Sequence, residues 1–124
     1  MKFRFPVVII DEDFRSENSS GLGIRVLAKA IEAEGFEVLG VTSYGDLTSF
    51  AQQQSRASAF ILSIDDEEIV EEKPEAIEQL RKFVTEIRYR NEEIPIFLHG
   101  ETRTSRHIPN DVLRELHGFI HMNE

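Results

Sequence analysis

Val7-Val8-Ile9-Ile10-Asp11-Glu12-Asp13 is the stretch on which the fold turns. Four consecutive apolar residues read as a buried strand, and the strand delivers three carboxylates to its carboxyl end. That edge is where open α/β sheets place their sites.

Working outward, strand one spans Phe3 to Ile10, with Pro6 tolerated only near an edge or an irregularity. Arg15 to Ser20 is a polar loop. Ile24, Leu27, Ala28 and Ile31 recur at helical spacing, and Gly35 stops that helix. Phe36 to Val41 forms strand two. Thr42 or Ser43 caps a short helix carrying Leu47, Phe50 and Ala51, and Ala59 to Ile64 is strand three. Pro74 opens a helix whose stripe is Ile77, Leu80, Val84 and Ile87. Ile94 to His99 is strand four. Val112, Leu113 and Leu116 line a short helix closed by Gly118, and Phe119 to Met122 is strand five. Five short strands alternating with four helices predict an α/β protein with a parallel sheet and right-handed crossovers. The expected architecture is flavodoxin-like and doubly wound, strand order 2-1-3-4-5, without the last helix. One sheet face is then half covered, so residues 1–124 are expected to be a single domain from a longer polypeptide.

The chain has 124 residues, 14 of them Lys or Arg and 23 Asp or Glu, for a formal charge of −9. Such a balance repels a nucleic-acid backbone at long range. Arg88, Arg90, Arg103 and Arg106 are the nearest thing to a local basic patch, and scattered arginines of this kind are ordinarily solvated. No apolar run approaches the ~20 residues needed to cross a bilayer, and the basic start is not followed by a secretory signal. A cytoplasmic address is the default. Zero cysteines removes disulfides, thiolate metal sites and cysteine nucleophiles together.

The acidic end of strand one invites comparison with a phosphoacceptor receiver. That chemistry needs an acidic pair for Mg²⁺, an acceptor Asp ending strand three, a Thr or Ser ending strand four and a Lys ending strand five. Asp11 and Glu12 supply the pair. Asp65 falls one or two residues late for the acceptor. Strand four ends in His99-Gly100, which leaves the hydroxyl position to Gly100 or Thr102, and strand five ends His121-Met122-Asn123 without a lysine. Asp11, Glu12 and Asp65 are therefore at most a vestigial pocket, and no catalytic, cofactor-binding or metal residue is assigned. The plain reading of Asp11, Glu12 and Asp13 is a solvated turn.

Other groupings are weaker still. Ser19-Ser20-Gly21-Leu22-Gly23 lacks the lysine of a P-loop and the spacing of a dinucleotide fingerprint, so it reads as an N-cap and flexible loop. His99, His107, His117 and His121 share no metal-ligand spacing. The run from Asp65 to Glu72 lacks the alternating ligands and central glycine of a Ca²⁺ loop and reads as a solvated face.

Ile94-Pro95-Ile96-Phe97-Leu98-His99-Gly100-Glu101, followed by Asp111-Val112-Leu113-Arg114-Glu115-Leu116-His117-Gly118-Phe119-Ile120, resembles the amino-terminal wing domain of bacterial ornithine/lysine/arginine decarboxylases. The Val7–Ile10 strand with its acidic end, Leu27 to Phe36 and the Ala59–Asp65 strand extend the resemblance over nearly the whole chain. It implies a degenerate receiver-like domain that precedes a pyridoxal-phosphate-dependent core and joins dimers into larger rings. The partners it implies are further copies of itself and the catalytic core of the parent chain. Pyridoxal phosphate belongs to that parent, with no cofactor in this segment, because Lys2, Lys29, Lys73 and Lys82 lie in no cofactor motif. Some family members bind a guanosine alarmone between subunits, and Arg114 is the nearest position by resemblance; its plain reading is an exposed helix arginine. The alternative to the wing reading is a stand-alone atypical receiver in phosphorelay signalling.

Overall fold

The computed structural model describes residues 6–42, 57–64, 66–90 and 92–121, the side chains of Ser20, Arg90 and Thr102 excepted. The expected helix around Leu47, Phe50 and Ala51 lies outside these residues, as do Phe3, Asp65 and Met122. The elements in chain order are β1 (Val7–Ile10), α1 (Ser19–Ala33), β2 (Val38–Val41), β3 (Ala59–Ser63), α2 (Asp66–Val70), α3 (Pro74–Arg90), β4 (Ile96–Gly100), a 3-10 helix (Thr102–His107), α4 (Asn110–Leu113) and β5 (Gly118–His121). The five strands form one sheet in the order β2-β1-β3-β4-β5, as the pattern of apolar runs and helices predicts. The chain divides into two compact units, one up to Ile61 and one from Leu62.

In the first unit all four residues of β1 are buried, which is why the sequence there shows no polar alternation. β1 runs parallel to β2, from Val7 opposite Val38 to Ile10 opposite Val41. Full burial of each such aliphatic side chain contributes about 1.5–3 kcal/mol, so this strand anchors its unit. α1 begins at Ser19 because Asn18 caps it, its Oδ1 accepting the Gly21 N–H at 2.8 Å. Ile24 and Ala28 form its buried stripe, while Leu22 and Val26 are exposed. The helix stops where expected: Gly35, at φ 98°, takes the left-handed turn that a side chain disfavours.

In the second unit α3 places Leu80, Phe83, Val84 and Ile87 in the core at helical spacing. β4 alternates, with Ile96, Leu98 and Gly100 buried and Phe97 and His99 half-buried. It pairs in parallel with β5, Phe97 opposite Gly118 through Gly100 opposite His121. Gly118 thus opens β5 instead of closing the preceding helix, which ends at Leu113.

In the acidic run after β3, Glu67, Glu71 and Glu72 are exposed, as expected of a solvated face, while Asp66 and Glu68 are half-buried. Asp66 to Val70 folds into α2, held by the buried Ile69, and the carboxylates of Asp66, Glu67 and Glu68 occupy its first turn, where the helix dipole favours them. α2 closes in a Schellman turn, with Glu72 N–H donating to the Ile69 carbonyl at 2.9 Å and Lys73 N–H to Glu68 at 3.0 Å. Glu72 therefore sits at φ 56°, a conformation that suits glycine.

Candidate functional site

Each of the two units carries its own strand ends. In the first, Asp11 follows β1 and is half-buried; its Oδ1 accepts the Asp13 N–H at 2.7 Å, closing an Asx turn. Phe14 N–H donates to the Asp11 carbonyl at 3.0 Å and Ser16 N–H to the Asp13 carbonyl at 2.8 Å. Arg25, reaching back from α1, donates from Nη1 to the carbonyls of Phe14 at 2.6 Å and Ser16 at 2.7 Å. A side chain at Gly21 would collide with the carbonyl oxygens of Asp13 and Ser16. The polar loop between β1 and α1 is therefore pinned from three directions, and the Ser19-to-Gly23 run, expected as an N-cap and flexible loop, instead opens α1 behind an Asn18 cap. Asp11 spends one carboxylate oxygen on the turn. Glu12 is exposed, and Asp65, the third member of the vestigial set, lies outside the described residues. Among the described residues no group of three His, Cys, Asp or Glu side chains could hold a metal ion.

The second unit holds the more informative arrangement. Asp66, at the start of α2, is half-buried, and its Oδ1 accepts from the Glu101 N–H at 2.9 Å and from the Thr104 hydroxyl. Among the described residues Thr104 is the sole buried polar one, at 0% exposure. A buried hydroxyl is retained only when bonded, and here its partner is a carboxylate, the stronger kind of acceptor. Gly100, at the end of β4, explains how the carboxylate gets in. A Cβ at this position would stand 2.8 Å from Asp66 Oδ1 and 2.9 Å from Ile64 Cγ1.

The hydroxyl that Asp66 binds is that of Thr104, while the side chain of Thr102 lies outside the described ones. Asp66 stands one residue beyond the acceptor considered from the sequence. The sequence held one signal for this: Thr104 lies four residues past Gly100, which a single helical turn folds back over the strand end. Nothing in the polar run Glu101-Thr102-Arg103-Thr104 marks which residue is to be buried.

Among the described residues the basic side chains pair separately. Arg88 is largely enclosed, donating to the Ile94 and Glu115 carbonyls at 2.6 Å each. Arg103 pairs with Glu101. Arg81 holds Asp111 through Nε at 2.7 Å and Nη2 at 3.3 Å, and also pairs with Glu78. The Arg81 hydrogen bond keeps the Asp111 carboxyl below the usual range. Arg114 is exposed at the end of α4. His117 meets Phe97 edge-on at 5.6 Å between ring centres, while His121 lies against Phe119 at 4.8 Å.

Receiver domains share the fold: that of a response regulator from Clostridium thermocellum superposes with a TM-score of 0.62 at 14% identity, over 94% of this chain and 81% of that one. A solved structure of lysine decarboxylase A from Pseudomonas aeruginosa superposes better, with a TM-score of 0.82 at 22% identity, over 99% of this chain and 16% of that one. In sequence, lysine decarboxylase LdcA of Pseudomonas aeruginosa is 23% identical over 124 residues, 98% of this chain. The chain spans only 16% of the length of that curated relative. The family model described as Orn/Lys/Arg decarboxylase, N-terminal domain, matches residues 19–124. The chain belongs to the Orn/Lys/Arg decarboxylase N-terminal domain family.

Proposed function

We propose that this chain is the non-catalytic wing of a pyridoxal-phosphate-dependent decarboxylase of a basic amino acid, and that its task is to assemble the parent enzyme's subunits. The observation that carries the reading is the family match over residues 19–124. Two features of the molecule support it. The space at the end of β4 that a receiver reserves for its switching hydroxyl is taken by Asp66 and Ile64, packed against Gly100. The helix α1 exposes Leu22 and Val26, apolar side chains one turn apart, of the kind that mark partner surfaces. The cofactor's Schiff-base lysine belongs to the parent's core: Lys29 and Lys82 are exposed on helices, and Lys73 lies in an exposed turn paired with Glu71 at 3.4 Å.

Deleting residues 1–124 from the parent chain and measuring sedimentation velocity tests the assembly role. The expected result is a smaller oligomer that keeps its cofactor absorbance. Sedimentation unchanged by the deletion would refute the role. The second reading, an atypical receiver, rests on the likeness of fold alone, and a stoichiometric adduct from acetyl phosphate in the presence of Mg²⁺ would favour it.

A further inference from the structure

In a receiver, the hydroxyl ending strand four reorients when a charged phosphoryl group arrives at the strand ends. In this chain a carboxylate already stands at that edge. The Thr104 hydroxyl and the Glu101 N–H come from the segment after β4, and they converge on a single oxygen, Asp66 Oδ1.

We infer that the Asp66 carboxylate is a built-in substitute for a receiver's phosphoryl group, latching the segment from Glu101 to His107 in one fixed arrangement. The inference rests on the wing reading, in which the domain no longer signals, and explains how the fold keeps a fixed surface without a switch.

Three observations support the latch. Acceptor and donors lie 35 and 38 residues apart in sequence, so the bonds join separate segments and do not merely close a local turn. Thr104 is fully buried, so its hydroxyl has no water to turn to if the carboxylate is withdrawn. Gly100 completes the device: any side chain there would have to push the carboxylate away, and in this chain there is none. Downstream, Ile108 and Val112 are buried, so the segment is held by the carboxylate at one end and by apolar packing at the other.

The test is amide hydrogen exchange on the 124-residue chain, comparing wild type with Thr104→Ser, Thr104→Val and Asp66→Ala. Losing a hydrogen bond to a charged acceptor is expected to speed exchange across Glu101 to His107 about tenfold or more in Thr104→Val and Asp66→Ala. Thr104→Ser, which keeps the hydroxyl, stays close to wild type. If Asp66→Ala does not fold, the contrast between the Ser and Val variants decides alone. Beryllofluoride with Mg²⁺ is expected to leave the segment's exchange in wild type unchanged. Equal exchange in the Ser and Val variants, or a beryllofluoride-induced change over Glu101 to His107, overturns the latch. Neither readout depends on oligomer assembly, so the latch and the assembly role fail separately.

Discussion

Replacing Gly100 with alanine separates a filled strand end from a merely altered one. In a functional receiver this position carries a hydroxyl side chain at no cost, so a preserved cavity would accept a methyl group. Here the added carbon would stand 2.8 Å from Asp66 Oδ1, 2.9 Å from Ile64 Cγ1 and 3.0 Å from Ile64 Cδ1. Both neighbours are constrained, the carboxylate by its two hydrogen bonds and Ile64 by its backbone N–H to the His99 carbonyl at 3.2 Å. Overpacking of this kind costs about 1–3 kcal/mol. Against that, alanine restricts the unfolded chain and returns about 0.4–1 kcal/mol, since the Gly100 backbone is not in the left-handed region. The net expectation for Gly100→Ala is a loss of about 1–2 kcal/mol, read as a lower urea midpoint at unchanged slope. Gly100→Ser should lose at least as much and should not gain a response to phosphodonors. A Gly100→Ala variant as stable as wild type would refute the reasoning, because it would mean the strand end has room after all.

Glu72→Gly relieves a left-handed residue in the Schellman turn after α2 and should stabilise the chain by about 0.5–1 kcal/mol, measured by thermal unfolding; a loss would mean that the Glu72 side chain matters more than its backbone. Asp11→Asn should fold normally, and Mg²⁺ should barely move the melting temperature of either form; a saturable rise in wild type that is absent from the variant would reveal a working metal site. Asp111 has a depressed pKa in the folded state because Arg81 holds its charged form, so the pair's contribution is present above the unfolded carboxyl value of 3.8 and is lost as pH falls through the folded one. The stability gap between wild type and Arg81→Met should therefore be small at pH 7, shrink in high salt and close in acid; a gap that is constant with pH would assign it to packing.

How much of this was legible beforehand depended on which force fixed each element. Burial alone fixes β1, β3 and the stripe of α3, so their apolar runs are legible directly. The sheet order follows from the alternation of strands and helices. Gly35 and Pro74 announce their helix ends because backbone geometry demands those residue types. α2 was hidden because its single buried residue, Ile69, is too little to show a period among six acids. The site was legible only as an absence, the missing hydroxyl and lysine. Its replacement was not, because Asp66 and Thr104 are joined by hydrogen bonds over a long sequence separation, and such pairings leave no periodic trace.

The latch and the assembly role bear on each other through entropy. A segment that must be ordered on binding charges its ordering cost to every contact it makes, about 0.5–1.5 kcal/mol for each immobilised side chain. A receiver accepts that cost because a mobile segment is what allows phosphorylation to act. On the assembly reading proposed above, a segment from Glu101 to His107 fixed beforehand by a carboxylate carries no ordering cost into a contact it makes. On this argument Gly100 leaves room for the carboxylate and Thr104 is held by it. Their effects should then be coupled: Gly100→Ala displaces the same carboxylate that Thr104→Val leaves without its hydroxyl partner. A double-mutant cycle should show the pair costing less than the sum of the single changes by about 0.5 kcal/mol or more. Strict additivity would place the two residues in separate structural roles and break the link between the filled strand end and the fixed segment.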